Sequence, residues 1–352
     1  MWFDCRSYKS SSIPGVETEG RKIKRIRWGI LGMARIAREK FIPALHVTED
    51  GELLAVASSS QQGQAQARQL GSKRVYSSYE ELLQDPEIDA VYIPLPNALH
   101  KEWVIRAAAA KKHILCEKPL ALTAADAEEM VSVCKRNGVF LAEAFMYRYH
   151  PQLQRVKMLL AQGVIGEVKY FRAGFSYLMN WEKKNIRLDP QLGGGCLFDI
   201  GCYCLDALNF LLGMKPEEIY ATGVFHPEYK IDIAAAVNLK LEKGILAQLQ
   251  FSFQQPFSDY CEIFGERGTI TLPRAFRPDK AGGQGIILFT DAGGKQQEEV
   301  YQGDPYLLQL QVYHANLRTE DNDGAAMSRL IEQARLLEAC FASLQQEQVV
   351  HL

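Results

Sequence analysis

Apolar residues in the first half of the chain fall in short unbroken runs, separated by longer stretches where they recur every three or four positions. The runs at 26–31, 53–57, 90–93, 113–116 and 139–142 show no alternation, which predicts strands buried on both faces, as in a parallel sheet. Between them the helical period predicts helices over 63–70, from Ser78 to just before Pro86, over 99–110 and from 124 to about 137. Ser78-Tyr79-Glu80-Glu81 has the form of a capping box, and Thr123 stands three residues before Asp126 as a second helix start. Strand alternating with helix in this manner predicts a doubly wound α/β Rossmann domain.

In the second half the period changes. An amphipathic helix after His150-Pro151 runs to Gly163, and a strand is expected over 167–175, followed by a long loop carrying Asn180, Trp181, Asn185 and Arg187. Residues 195–212 read as one largely apolar helix. Beyond Pro216 the period is two, with strands expected at 218–224, 234–241, 245–253, 259–264, 268–272, 286–289 and 298–301. Glu242-Lys243-Gly244 and Gly265-Glu266-Arg267-Gly268 separate neighbours as hairpin turns. Helices over 306–317 and 325–344 close the chain. One face of such a sheet is covered by helices and the other needs a cover, so a homodimer or homotetramer formed face to face is expected.

The resulting division is a flexible extension over 1–24, a nucleotide-binding domain over 25–148 and a substrate-binding and oligomerisation domain over 149–352. A length of 352 residues suits two domains with sizeable cores. A net charge of -2 gives no electrostatic reason to expect nucleic acid. No stretch reaches the length of apolar sequence that spans a membrane, and the N-terminal residues lack the apolar core of a signal peptide, so a cytoplasmic location without a membrane partner is expected. The eight cysteines and seven histidines are scattered without the spacing of a disulfide framework or a zinc site. Reduced core thiols and no metal are the expectation.

Candidate chemistry begins where the first strand meets Gly32-Met33-Ala34-Arg35-Ile36-Ala37. This is the position of a dinucleotide fingerprint, whose glycines permit a tight turn, close approach to pyrophosphate and close helix packing. Gly32 and Ala37 fit its outer positions, while Ala34 replaces the middle glycine and Arg35 and Ile36 open the helix. Near the end of the second strand, where NAD-dependent proteins carry an acidic residue, the chain has Ser58-Ser59-Ser60. Without a carboxylate there, a 2′-phosphate is not repelled, so NADP is preferred slightly over NAD, with Arg38 as a possible phosphate partner from the first helix.

Cys116-Glu117-Lys118-Pro119 follows the strand at 113–116, which places Lys118 at a strand's carboxyl end, where open parallel sheets bind ligands. Burial and neighbouring positive charge there would draw the lysine towards neutrality and make it a proton carrier; otherwise it is a surface ammonium beside a turn proline. A cis Lys118-Pro119 bond would fix its direction. On the apolar helix at 195–212 the polar Asp199 and Tyr203 stand four residues apart, on one face. If that face is buried, Asp199 needs a partner, and Lys118 would supply it. Trp181 and Arg187 suit recognition of a polyhydroxylated substrate, unless their loop is merely solvated.

Four strings occur in order: 29–37, then Leu95-Pro96-Asn97-Ala98-Leu99-His100, then Cys116-Glu117-Lys118-Pro119, then Gly193-Gly194-Gly195-Cys196-Leu197-Phe198-Asp199-Ile200-Gly201-Cys202-Tyr203. Together they resemble the glucose-fructose oxidoreductase, inositol dehydrogenase and rhizopine-catabolism (Gfo/Idh/MocA) family from about residue 25 to the C-terminus. The chain departs from that pattern at Ala34, at the serine triplet and in its N-terminal extension. The resemblance implies a pyridine-nucleotide Rossmann domain followed by an α+β domain with an open, mostly antiparallel sheet, acting on a sugar, cyclitol or related hydroxyl or carbonyl. It implies Lys118, Asp199 and Tyr203 as the catalytic set. Pro96, Asn97, His100 and Glu117 would border the cofactor beside Gly32, Ala34, Arg35, Ile36, Ser58 and Ser59. Residues 143–151 resemble aldose-type and dihydrodiol-type members and offer Arg148 as a substrate contact.

In the expected reaction either Tyr203, its acidity increased by the Lys118 ammonium, or Lys118 itself transfers the proton that accompanies hydride. Two rival readings share the fold: a glycosidase using bound NAD transiently, and a nucleotide-binding regulator without turnover.

Overall fold

The computed structural model describes residues 25–182, 185–319 and 324–352; the expected extension over 1–24 lies outside them. Six strands form a parallel sheet: β1 Ile26–Leu31, β2 Gly51–Ala57, β3 Arg74–Tyr76, β4 Ala90–Ile93, β5 His113–Cys116 and β6 Leu141–Glu143, in the order β3-β2-β1-β4-β5-β6. This is the doubly wound order, reversing between β1 and β4, the point at which such sheets bind ligands. The unbroken apolar runs have their physical cause in two-sided burial: every residue of β4 is buried, and all of β1 but Arg27.

The crossover helices are α1 Ile42–Val47, α2 Gln61–Gln69, α3 Tyr79–Gln84, α4 His100–Ala109 and α5 Ala124–Asn137. A π-helical turn, Ala37–Phe41, precedes α1. Ser60 caps α2 by accepting the Gly63 amide, Ser78 caps α3 by accepting that of Glu81, and Thr123 caps α5 by accepting that of Asp126. The return bond of the capping box is displaced by one residue, since the Glu81 carboxylate accepts the amide of Ser77 rather than that of Ser78.

After α6 Pro151–Ala161 comes a nine-stranded sheet of β7 Val168–Leu178, β8 Pro216–Phe225, β9 Asp232–Leu241, β10 Leu246–Ser252, β11 Gln254–Gly265, β12 Gly268–Leu272, β13 Gln284–Asp291, β14 Gln296–Gln302 and β15 Val350–His351. Its order is β14-β13-β12-β11-β7-β10-β9-β8-β15, antiparallel except for the central pairing of β7 with β10. α7 Cys202–Leu212 and α9 Gly324–Gln346 pack on one face, and α8 Pro305–Thr319 reaches back to the first sheet. There Trp28 Nε1 donates to His314 Nε2 at 3.0 Å, and the Trp28 and Tyr313 rings lie 5.1 Å apart. The other sheet face presents Tyr170, Arg172, Gln248, Tyr260 and Glu262, with Arg172 paired to Glu262.

The segment expected as a single helix over 195–212 is continuously helical from 196 to 212, with a π-helical turn, Leu197–Gly201, leading directly into α7. The stretch Pro190–Leu212 is apolar and long enough to cross a membrane, yet 78% of its 18-residue apolar window is buried inside the fold. All seven cysteines among the described residues are free and buried.

Candidate active site

A cleft of about 760 Å³ lies between the two sheets. Ala34, Arg35 and Ile36 line it from the nucleotide-binding side, Asn97, Glu117 and Lys118 from the ends of β4 and β5, and Arg187, Asp199 and Tyr203 from the second domain. Gly32 sits beneath the entrance with φ +97°, where a side chain is strained, and an added Cβ would come within 3.2 Å of the Tyr79 hydroxyl. Ala34 has no positive φ, so the turn survives the loss of the middle glycine. A tight turn at Gly32, with the small Ala34 just before the helix that Arg35 and Ile36 open at the cleft, fits a dinucleotide pyrophosphate.

The Lys118–Pro119 peptide is cis. Lys118 Nζ donates to the Asp199 carbonyl oxygen at 2.5 Å and lies 3.3 Å from Asp199 Oδ1. Asp199 Oδ2 accepts the Tyr177 hydroxyl at 2.7 Å and forms an ion pair with Arg187 Nε, also at 2.7 Å. Burial opposes ionisation of this carboxyl, but the charges of Arg187 and Lys118, with hydrogen bonds from Arg187 and Tyr177, hold it well below the usual carboxylate range. The start of this helix is anchored by Asp232 of β9, whose Oδ2 accepts the Leu197 amide at 2.6 Å and the Cys196 thiol at 3.0 Å. Gly195 is required there: a Cβ would stand 2.0 Å from Asp232 Oδ1.

Two expectations about proton carriers are corrected. Burial, the largest single influence, pulls the Lys118 ammonium down, as expected, but Asp199 together with Cys202 and Glu117 more than offsets it, and the lysine is held above its ordinary value. Tyr203 meets Lys118 with its ring, Nζ standing 5.0 Å from the centroid, while its hydroxyl donates to Met146 Sδ at 3.8 Å. Burial therefore pushes the Tyr203 phenol well up rather than down, and the charge of Arg277 offsets only part of it.

Other expected contacts stand behind the cleft or away from it. Arg148 faces the fully buried Asp206: Nε donates to Oδ2 at 2.8 Å, a second guanidinium nitrogen bonds Oδ1, and the Tyr147 hydroxyl donates to Oδ2 at 2.5 Å. Asp206 and the Phe145 ring occupy its guanidinium, and it lies outside the lining of the cleft. Trp181 stacks on His226 with centroids 5.2 Å apart, outside the lining. His100 is buried with its ring nitrogens 2.8 Å from the Pro119 carbonyl and 2.9 Å from that of Leu95, so it ties the two loops together from beneath. Pro96 lies beside it, and Ser58 and Ser59 are at the end of β2, outside the lining. Asn97 donates to the Gly193 carbonyl at 2.8 Å, and Glu117 accepts the Tyr92 hydroxyl at 2.5 Å.

Sequence reasoning missed Tyr177. The expected strand stopped at residue 175, but β7 continues to Leu178, and extending the inward alternation Phe171, Ala173, Phe175 by one step reaches Tyr177. It also missed the turn bearing Arg277, Asp279 and Lys280, which lines the cleft from the second domain.

Residues 26–145 match the model of the oxidoreductase family with NAD-binding Rossmann fold, and residues 153–271 match that of the GFO/IDH/MocA C-terminal domain. An uncharacterized oxidoreductase of Rhizobium meliloti is 38% identical over 301 residues, covering 84% of this chain and 89% of the relative. D-xylose 1-dehydrogenase (NADP(+)) 2 of Haloferax volcanii is 33% identical over 327 residues, covering 92% and 99%. Among solved structures, a 3-ketoreductase from Actinomadura kijaniata in complex with NADP and TDP-benzene superposes with a TM-score of 0.86 at 30% identity, covering 91% of this chain and 98% of that one.

Proposed function

The chain belongs to the GFO/IDH/MocA oxidoreductase family, and from that premise we propose that it acts on a hydroxyl-bearing or carbonyl carbon of a sugar or related polyol. It is an NAD(P)-dependent oxidoreductase. The observation that carries the finer reading is the ionised Asp199 held by Lys118, Arg187 and Tyr177 on the wall of the cleft. Two cations sharing one carboxylate, with Asn180 and Asn185 beside them, offer both donors and acceptors to neighbouring hydroxyls.

The residues from Gly32 to Ile36 would hold the dinucleotide's pyrophosphate, with Asn97 and Glu117 towards its reacting end. When bound, the cofactor supplies or accepts the hydride. Lys118, kept as an ammonium by Asp199, donates its proton to the substrate oxygen in the reduction direction, and in oxidation the neutral amine takes that proton back. Asp199 orients the lysine and accepts from an adjacent substrate hydroxyl. Tyr203 supports the lysine through its ring, and Arg187 fixes Asp199 and donates to the substrate. NADP is the assigned cofactor: no carboxylate follows β2, and Arg38 Nε is a buried donor without a hydrogen-bond partner. Free buried thiols suit a cytoplasmic location, and the uncovered sheet face with Tyr170, Arg172 and Tyr260 suits a homodimer or homotetramer.

The glycosidase and regulator readings are not favoured, since the relatives named for an activity are dehydrogenases and reductases. The test is the absorbance of reduced nicotinamide across aldoses, cyclitols, diols and the matching carbonyl compounds, with NAD and NADP separately. Stoichiometric turnover of a polyol or its carbonyl partner with NADP is expected. Cofactor retained through purification, with substrate consumed and no net change in reduced nicotinamide, would instead support the glycosidase.

A further inference from the structure

The turn opposite the fingerprint has more positive charge than its own structure uses. Asp259 fixes its start, accepting the amides of Phe276 at 3.1 Å and Arg277 at 2.5 Å. Arg277 then grips Asp279 with Nε 2.8 Å from Oδ1 and a second nitrogen 3.0 Å from Oδ2. Across the cleft Lys40, in the π-helical turn that follows the fingerprint, reaches the same carboxylate at 2.9 Å. Asp279 is thus claimed twice, and its side chain is only 6% exposed.

Lys280, the next residue, has no carboxylate within ion-pair distance among the described residues; its Nζ lies 3.9 Å above the centroid of the Phe257 ring. Three cations, Lys40, Arg277 and Lys280, therefore stand with the Asp279 carboxylate on the wall of the cleft that faces Ala34, Arg35 and Ile36; Asp259, buried behind the turn with its carboxyl pushed up to about 7, offsets at most one further charge. Arg35 adds little to the excess, since Glu39 stands 3.9 Å away. Like charges crowded beside a low-dielectric ring are unfavourable unless an anion joins them. A pyrophosphate carries one negative charge per phosphate, enough to neutralise the excess that remains. A substrate anion is the less suitable occupant, because the reacting end of the cleft is marked by Lys118 and Asp199, whereas the Lys40–Asp279 bridge ties Lys280 to the fingerprint helix.

We propose that Lys280 binds the pyrophosphate of the dinucleotide from the second domain, on the side opposite the fingerprint amides. The cofactor is then held between the domains, and the Lys40–Asp279 bridge sets the distance across which Lys280 reaches. This rests on the nicotinamide-dinucleotide reading above. Lys280 is exposed and the only described contact of its side chain is with the Phe257 ring, while its amide donates to the Arg277 carbonyl, so replacing the side chain leaves the turn in place.

The experiment is calorimetric binding of three probes to the full chain and to Lys280→Met and Lys280→Arg variants. NADPH and 2′-phospho-ADP-ribose contain the pyrophosphate; adenosine 2′-monophosphate has neither of its phosphates. Lys280→Met should weaken the first two about tenfold, as loss of a charge-assisted contact does, and leave adenosine 2′-monophosphate within about twofold, with Lys280→Arg restoring most of the affinity. The salt dependence of NADPH binding should become shallower in Lys280→Met. NADPH affinity unchanged in Lys280→Met overturns the proposal, and a raised substrate KM in that variant would move the cation to the substrate. Equal weakening of adenosine 2′-monophosphate also overturns it, placing the lysine at the adenosine or 2′-phosphate end. Failure of the unaltered protein to bind any dinucleotide would overturn the cofactor reading itself.

Discussion

Tyr177 donates its hydroxyl to Asp199 Oδ2 at 2.7 Å, on the oxygen that also meets Arg187. The carboxylate at the centre of the cleft is therefore held by three elements at once: Lys118 from the end of β5, Tyr177 from the end of β7 and Arg187 from the intervening loop. Each supports the ionised form, and together they overcome the cost of burying it.

Removing one of these supports should weaken the site without dismantling it. Tyr177→Phe deletes a hydrogen bond to a charged group, worth about 1.5–3 kcal/mol, so kcat/KM should fall at least about tenfold. The variant also favours Asp199 ionisation less, so the acidic limb of its pH–rate profile should move to higher pH. An unchanged rate and an unchanged acidic limb would remove Tyr177 from the site.

Lys118 and Tyr203 separate by variant and by pH. Lys118→Ala should lower the turnover of reduction roughly 100-fold to 10,000-fold, the usual cost of losing a proton-transfer group, whereas Tyr203→Phe should cost less than about tenfold, because its hydroxyl faces Met146. Reduction requires the protonated lysine, whose ordinary value of 10.5 is raised here. Its rate should stay level through neutral pH and decline only as pH rises past that value, while oxidation should still be rising there. Loss of reduction in Tyr203→Phe with only mild impairment in Lys118→Ala would assign the proton to the tyrosine.

Arg148 distinguishes a structural role from a substrate contact. Truncating one member of a buried ion pair leaves the other charge uncompensated and costs about 3–5 kcal/mol. Arg148→Ala should therefore lower the midpoint of denaturant unfolding strongly by stranding Asp206. The substrate KM of whatever fraction remains folded should change little; full stability with a large rise in KM would return Arg148 to the substrate.

That arginine also marks where sequence reasoning stops. The parallel strands were legible because two-sided burial forces unbroken apolar runs, and the second sheet because one-sided burial forces alternation. β3 and β15, with three and two residues, are too short to carry either signal. Lys118, Asp199 and Arg187 could be singled out from strand ends, an apolar helix and a polar loop, and they meet in the cleft. Arg148 stood in a suggestive string, but its partner Asp206 lies 58 residues further along the chain, and no local pattern shows that pairing. The turn at 277–280 has no motif; its importance comes from Lys40, which lies on the other domain.

Glu143 gives the fold a pH dependence of predictable sign. It ends β6, its Oε1 accepts the Leu120 amide at 2.8 Å beyond the Lys-Pro turn, and its Oε2 is buried without a partner. Burial, opposed only in part by the charge of Arg148, pushes its carboxyl from 4.5 up to about 7. As pH rises through that interval the unfolded chain loses the proton first. The folded state then binds more protons than the unfolded one, so stability falls with rising pH and levels off above about 7. Between about pH 5.5 and pH 8.5 this loss amounts to at most about 2 kcal/mol, taking 1.36 kcal/mol for each pH unit over which only the unfolded state is ionised. Glu143→Gln keeps an acceptor for the Leu120 amide and cannot ionise. Its amide leaves a donor where Oε2 was, at a cost that is the same at both pH values and so cancels from the comparison. Denaturant unfolding of the two proteins at the two pH values should therefore show the variant gaining on the unaltered chain as pH rises. A constant difference would mean that Glu143 ionises at its ordinary value and is solvated or paired in the folded protein.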